Sequence, residues 1–408
     1  MINRATFRIL SATALLYPFA AILAPKAMVV LLGAAALLML AAPANRRSPF
    51  ALVPIPVIAV LGALVAWALV TTIWAPLPMN RLQLWLRVLA IIIAGLYLAS
   101  CAVRLDAADR ETFGAAIGLS GVLFVVLFLF ELATGGALTK AAIATWNQVT
   151  PWEAQPPYHG AFLTSASAAL VIFVWPSALA IARRTSLGWA AVFLIVASLA
   201  VMGQNMAAAK IAFFFSAIAG ALMWRWPRFA GVAVVAGLVT ANIILFVVVY
   251  SRGAAGLAAW LADAMSLHIL PLPWQERIHI VAFTLDRVAE QPLFGWGFDA
   301  SRTISAGIVG PFHGNPALPL HPHSLWLQIW LELGLVGVVL ALALVGVIVD
   351  RISASRSGPM VVATAVATVV SYLVVGNISF GAWQNWWLAI AWLGLGFFVA
   401  LVPREPAG

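Results

Sequence analysis

Residues 324–349, SLWLQIWLELGLVGVVLALALVGVIV, decide how this chain folds. After Glu332 the run holds no charged residue until Asp350. About 20 apolar residues are enough to cross the hydrocarbon core of a bilayer as a helix. The start of the run differs from the rest. Gln328 and Glu332 are i, i+4 neighbours on one helix face, and both are costly in lipid. The stretch therefore reads as a membrane span with a polar patch near one end, entered directly from His321-Pro322-His323.

Outward from this span the same pattern recurs. The chain has 408 residues, 64% hydrophobic and only 9% charged. A soluble domain carries about a quarter charged residues, so the bilayer is the solvent this composition requires. Roughly a dozen candidate spans follow, at about 9–24, 27–42, 52–74, 82–101, 114–133, 161–182, 187–203, 207–224, 229–250, 324–349, 359–376 and 382–402. The expected class is all-α and polytopic. Arg4 and Arg8 before an apolar run resemble a signal peptide, but Pro25 after Ala24 is a poor cleavage context. This segment is read as an uncleaved first helix, paired with the second in a tight hairpin.

The net charge of +9 comes mostly from arginine. These bases sit at span ends, which points to lipid phosphates and membrane insertion and away from nucleic acid. Paired bases in short loops, Arg46 with Arg47 and Arg183 with Arg184, mark the cytoplasmic side. Both termini then lie inside. The single cysteine, Cys101, excludes an intramolecular disulfide and a CxxC metal site. It reads as packing.

This divides the chain into spans one to nine over 1–250, a long outer loop over 251–322, and spans ten to twelve over 323–408. A connection that long is functional or disordered, and its apolar periodicity argues for order. Two helices are expected in it. One covers 256–267 along the interface. The other covers 274–290, with Ile278, Val281, Leu285 and Val288 on one side, and Pro292-Leu293-Phe294-Gly295-Trp296-Gly297 breaks it. A second outer loop, 134–160, carries Trp146 and Trp152 at headgroup level.

The residues able to do chemistry gather on the outer side. Lys210 lies about one turn inside a span, where an ammonium is either functional or snorkels to headgroups. Arg277 begins the loop helix, and Arg287 lies about 80° around it. Arg81 and Arg87 start the fourth span. Together these five bases suit a diphosphate, because guanidinium forks match phosphate oxygens. Arg287 has Asp286 and Glu290 beside it, so a salt bridge is its simpler reading. Arg302 lies on the same side as a peripheral base. His321 and His323 titrate near neutrality, so a positioned one can take a proton from a hydroxyl. With Gln328 and Glu332 close behind, they read as a site. The outer acids form no DxD or DDxxD cluster, so neither a metal ion nor another cofactor is expected.

Residues 321–337, HPHSLWLQIWLELGLVG, resemble the signature of the O-antigen ligase and polymerase superfamily: a histidine, usually an Asn, then Leu-x-x, Glu-x-Gly and a second glycine. His323 takes the histidine position, Ser324 replaces the usual Asn, and Leu327, Glu332, Gly334 and Gly337 fall in place. Arg277 followed by Pro292-Leu293-Phe294-Gly295-Trp296-Gly297 is similar to the family's Arg and Pro-x-x-Gly-x-Gly. The family's mid-chain arginine position falls on Met206. Lys210, one turn deeper on the same face, is the expected substitute, and Ser251-Arg252-Gly253 matches the string after the wrong span.

The resemblance implies a GT-C-like glycosyltransferase of a bacterial inner membrane with its site facing the periplasm. It implies transfer of a glycan from undecaprenyl diphosphate to an acceptor hydroxyl, for a ligase one on lipid A-core, without metal and with inversion. His323 would be the base; Arg277, Lys210, Arg81 and Arg87 would hold the diphosphate; His321, Gln328, Glu332, Arg302 and Arg287 would support them. Two alternatives share the motif, an O-antigen polymerase and a protein O-oligosaccharyltransferase. The chain ends at Gly408 soon after its last span, which favours the ligase. A flippase or transporter is the reading from a different class, and it predicts charges near the midplane of several helices.

Overall fold

A computed structural model describes residues 4–42, 45, 53–146, 163–227, 272–310 and 314–402, with a few positions between 229 and 240. The described residues form helices: α1 (Arg4–Leu23), α2 (Met28–Ala41), α3 (Ile55–Thr71), α4 (Pro78–Ala102), α5 (Ala107–Thr134), α6 (Ala137–Trp146), α7 (Thr164–Arg184), α8 (Leu187–Met202), α9 (Ala207–Arg225), α10 (Leu272–Glu290), α11 (Leu325–Ala354), α12 (Pro359–Gly376) and α13 (Asn385–Leu401). The only extended pairing among them is an isolated bridge between Val309 and Pro316.

Seven helices of 18 residues or more are apolar enough to cross a membrane, and four apolar helices are shorter. The protein is an all-α, polytopic membrane protein. The expected span at 229–250 lies largely outside the described residues, as do the helix at 256–267, the bases Arg46, Arg47, Arg228 and Arg252, and Trp152; nothing is described of the Trp146 side chain. The count of twelve is therefore not established. Each other expected span is a helix. α5 starts earlier than its apolar run because Asp106 caps it, accepting the Asp109 N–H at 2.8 Å. α1 and α2 pack as the expected hairpin.

α7 sits at the centre. Its side chains from Ala166 to Ala180 are all buried, as expected of a helix apolar all round. Tyr17 of α1 stacks on Phe173 of α7 at 4.6 Å and meets Phe124 and Phe397 edge-on at 6.0 and 5.8 Å. Cys101 is fully buried in this same core. Two of the paired or span-end bases end in carbonyls. Arg110 donates to the last carbonyls of α13, and Arg183 donates to Leu401 O at 2.7 Å. Cations at a helix C-terminus oppose its dipole.

A second core lies between α3, α4, α10, α11 and α12, around Phe298, Trp330, Leu331 and Leu333. α10 buries Ile280, Thr284, Leu285 and Val288. The buried stripe is thus rotated from the expected one: Ile278 and Val281 are only half-buried. Thr284 tolerates burial in that stripe because its hydroxyl donates to Ile280 O at 2.7 Å.

Candidate active site

The site is built on a break in α11. Gly334 has φ 67° and ψ −169°, which splits the helix into segments 325–333 and 335–354. The turn 292–297 is wedged into the gap. Trp296 and Gly297 donate their N–H groups to the carbonyls of Leu331 and Glu332 at 2.8 and 2.9 Å, and Leu335 N–H donates to Pro292 O at 2.9 Å. Within a membrane, interrupted helical backbone needs partners of this kind. Glycine is required on both sides. A Cβ on Gly334 would lie 2.2 Å from Leu293 O, and one on Gly295 would lie 2.6 Å from Glu332 O. The two motifs read separately in the sequence are therefore one interlocked object. Tryptophans tie it down: Trp67 donates to Leu333 O at 2.8 Å, Trp74 to Gly295 O at 3.1 Å and Trp330 to Pro292 O at 3.0 Å.

Glu332, the residue two before the break, is fully buried and accepts four hydrogen bonds. Its donors are Asp299 N–H at 2.7 Å, Ser301 Oγ–H at 2.5 Å, Gln328 Nε2–H at 3.0 Å and Trp383 Nε1–H at 2.5 Å. A buried carboxylate needs this degree of satisfaction. Gln328 completes the clamp by accepting Ala382 N–H at 2.7 Å. The polar face expected from the i, i+4 spacing thus fastens two loops, 298–303 and 377–384, to the first half of α11.

The loop at 377–384 orients the histidines. His323 Nδ1 lies 3.0 Å from Ser379 O. A carbonyl only accepts, so Nδ1 carries the hydrogen and Nε2 keeps its lone pair. His323 adopts φ 53°, an unusual backbone for a residue with a side chain. His321 supports it, because its Nδ1 accepts the His323 N–H at 3.2 Å. The His321 hydrogen then sits on Nε2, which faces the Gln384 carboxamide at 3.2 Å. Giving that position to the carboxamide oxygen supplies a donor to a buried atom otherwise lacking one. Burial, with His323 and Arg302 nearby, pushes His321 down to about 3. Burial and the Arg277 cation also hold His323 below the ordinary histidine value, while the Ser379 carbonyl and Glu276 oppose them. Both rings are neutral at neutral pH. Ser324 caps α11, accepting Leu327 N–H at 3.4 Å, and its hydroxyl donates to Asn377 Oδ1 at 3.3 Å. Ser and Asn are both strong N-caps, which accounts for the exchange at this motif position.

The expected bases part company. Arg277 is half-buried on α10, and its charge acts on His323. Its own pKa is lowered by burial. Lys210 is half-buried in the first turn of α9. Trp175 of α7 stacks on Phe213 of α9 at 5.7 Å and donates to Ser371 of α12 at 3.0 Å, while Gly220 of α9 lies against Ala363 and Ala367 of α12. The helices are thus antiparallel, and about 15 Å back along α9 Lys210 stands level with the end of α12, where the histidine-orienting loop begins. Met206, at the family's arginine position, is buried and caps nothing with its side chain.

Arg81 is buried, and its guanidinium is occupied. It pairs with Asp299 and donates to Thr303 Oγ1 at 3.2 Å and Pro76 O at 3.1 Å. Arg87 is exposed, on a different side of α4. Arg302 donates to the other Asp299 oxygen at 3.0 Å and remains 42% exposed. Arg287 pairs with Glu290 at 2.9 Å, the simpler reading given for it. Asp299, held between Arg81 and Arg302 but raised overall by burial, was visible in the sequence only as one acid among several. Trp383, Ser379 and Gln384 carried no signal there, since nothing in a sequence says that their loop folds back onto 321–332.

A family model described as O-antigen ligase (Wzy_C) matches residues 190–342. That segment holds Lys210, Arg277, the wedge, both histidines and Glu332, and it stops short of the loop at 377–384. Several Rickettsia proteins named as candidate polysaccharide ligases are similar. One from Rickettsia conorii is 36% identical over 117 residues, 28% of each chain. One from Rickettsia felis is 24% identical over 339 residues, 79% of this chain and 75% of that protein. One from Rickettsia bellii is 25% identical over 332 residues, with the same coverage. The first match spans less than a third of its relative and the other two span three quarters.

Proposed function

We propose that this chain, a member of the O-antigen ligase family as those matches support, is an inverting glycosyltransferase of a bacterial inner membrane that works on its periplasmic face. Its donor is a glycan on undecaprenyl diphosphate, and its acceptor is a sugar hydroxyl of lipid A-core. The observation that carries this reading is the state of His323. Its Nδ1–H is committed to Ser379 O, leaving Nε2 as a neutral lone pair.

In this mechanism Nε2 takes the proton of the acceptor hydroxyl as that oxygen attacks the anomeric carbon. The bond from that carbon to the phosphate oxygen breaks, and the diphosphate leaves with the electron pair. Charge grows on the leaving oxygens, and fixed cations stabilise it most where water is scarce. Arg277 and Lys210 supply that charge. Arg81 holds Asp299, which in turn positions Arg302 near the pair of histidines. Both substrates are amphiphiles, so confinement to one leaflet raises their effective concentration.

The test is reconstitution of the purified chain with undecaprenyl-diphosphate glycan and one of three acceptors: lipid A-core, a second donor molecule, or a protein. Transfer to lipid A-core, lost in His323→Ala with the thermal transition unchanged, is the expected result. Full transfer by His323→Ala overturns the base assignment. Use of only a second donor or only a protein replaces the ligase reading with a polymerase or a protein-modifying one.

A further inference from the structure

Gln384 stands where α13 begins, as its N-cap residue, but its side chain caps nothing there. That position favours side chains that accept an N–H of the first turn. The Gln384 carboxamide turns instead to His321, 63 residues earlier, and meets Nε2 at 3.2 Å. Its own backbone is pinned by an N–H bond to Gly381 O at 3.2 Å. Gly381 also makes room for the His321 ring, because a Cβ there would lie 3.0 Å from it. On the other side of the ring, Nδ1 accepts the His323 N–H at 3.2 Å, and the two imidazoles lie 4.6 Å apart.

We propose that Gln384 is a positioning residue for the base: by accepting the Nε2 hydrogen of His321 it keeps Nδ1 bare, and bare Nδ1 holds the His323 backbone in place. The inference rests on the reading of His323 as the base and adds a residue that acts on it through another. A neutral imidazole carries one hydrogen, on either nitrogen. With the hydrogen on Nδ1, two N–H groups would face each other and the His323 N–H would lose its acceptor. His323 sits at φ 53°, a conformation that surrounding bonds must hold. The charges around His321 keep it at one hydrogen. Arg302 and the His323 ring act on it from the loop segments, and with burial they push it down to about 3. Gln328 of α11 and Gly381 bring no charge to it. The carboxylates of Asp299 and Glu332 are bonded elsewhere, to Arg81, Arg302, Ser301, Gln328 and Trp383. The place of the single hydrogen is therefore the only freedom left to the ring, and Gln384 decides it.

The experiment uses the full chain in nanodiscs, with transfer from undecaprenyl-diphosphate glycan to lipid A-core followed across pH. Histidine-labelled protein is read in parallel by ¹⁵N NMR, which reports the hydrogen on each ring nitrogen. The chain has six histidines, few enough to assign by single substitutions. In the wild type near pH 7, His321 should carry its hydrogen on Nε2 and His323 on Nδ1. Gln384→Leu removes one hydrogen bond, so kcat should fall about three- to tenfold with both KM values held. Gln384→Glu keeps the acceptor and the volume but adds a negative charge, which favours a second proton on His321. A doubly protonated His321 has no acceptor for the His323 N–H. The acidic limb of kcat should therefore move up by about one unit or more, in step with the second proton on His321 in the NMR signal, and kcat should approach the wild type above it. A hydrogen on His321 Nδ1 in an active wild type overturns the proposal and leaves the transferase standing. So does an unchanged kcat in Gln384→Leu, or, if that variant does not fold, a wild-type limb in Gln384→Glu. A wild type with the expected hydrogens that transfers to no acceptor keeps the link from Gln384 to His323 and discards the transferase.

Discussion

Around α7 the bundle is held by ring against ring: Tyr17, Phe124, Phe173 and Phe397 interlock, and almost every contact is apolar. Around the break in α11 the composition is scarcely less apolar, yet the structure is held by directed bonds from indoles, amides and one carboxylate. Dispersion is non-directional, so the first region tolerates exchanges that keep volume. Buried polar bonds are directional and costly when half-made, so the second region tolerates few. The comparison teaches where this protein puts rigidity. The α7 side fixes the bundle, and the α11 side fixes the loop that orients the two histidines.

The sharpest way to break that contrast is one methyl group. Gly334→Ala forces a Cβ onto Leu293 O and holds an alanine at positive φ. The backbone term alone costs about 1–3 kcal/mol, and the clash unseats the wedge. Loss of transfer and a lowered thermal transition in detergent are expected. Gly346→Ala, farther down the same helix, meets nothing within 4 Å and should be neutral or stabilising by up to about 1 kcal/mol. Equal behaviour of the two variants would show that the break carries no function.

Glu332→Gln comes next. One carboxylate oxygen becomes an NH₂, which faces donors instead of accepting from them. An unmet donor costs about 1–3 kcal/mol, and if that loss falls on the geometry around His323 it is roughly a 10- to 100-fold drop in kcat. Donor KM should stay the same, and a variant with unchanged kcat would detach the clamp from catalysis.

A smaller effect is expected from Arg277→Gln on the pH profile. The Arg277 cation is one of the influences holding His323 below its ordinary 6.5. As the proposed base, His323 must be neutral to act, so the acidic limb of kcat/KM is expected below that value in the wild type. Removing the cation lets the pKa rise, and the limb moves up in pH; Arg277→Lys should leave it in place. A limb that stays put in Arg277→Gln separates the arginine from the base.

The smallest effect belongs to the aromatic side. Tyr17→Phe loses one bond, to Ala169 O at 3.3 Å. It should cost about 1 kcal/mol of stability, read by thermal unfolding, with transfer unchanged.

How much of this was legible in the sequence follows the same division. Spans announce themselves by composition, so α1, α7 or α12 could be placed within a turn or so. The pairing of Gln328 with Glu332 followed from helical spacing alone. The break at Gly334 did not, because a glycine inside an apolar run is ordinary in a membrane helix and its φ depends on a loop some forty residues earlier. Arg81 was readable as an outer-side base but not as the partner of Asp299, because an ion pair between residues 81 and 299 has no local trace. The loop that sets the His323 tautomer was invisible for the same reason, being a contact between segments that only the fold makes neighbours.

The break in α11 also bears on how the protein is made. By length and hydropathy, 325–354 could cross a membrane as one helix, and nothing in its composition demands a break. The wedge sequence lies ahead of it in the chain and is already synthesised when α11 emerges. Seating that wedge exchanges hydrogen bonds within α11 for bonds to 292–297. Spanning the membrane is thus a property of 325–354 alone, whereas the break needs 292–297 as well.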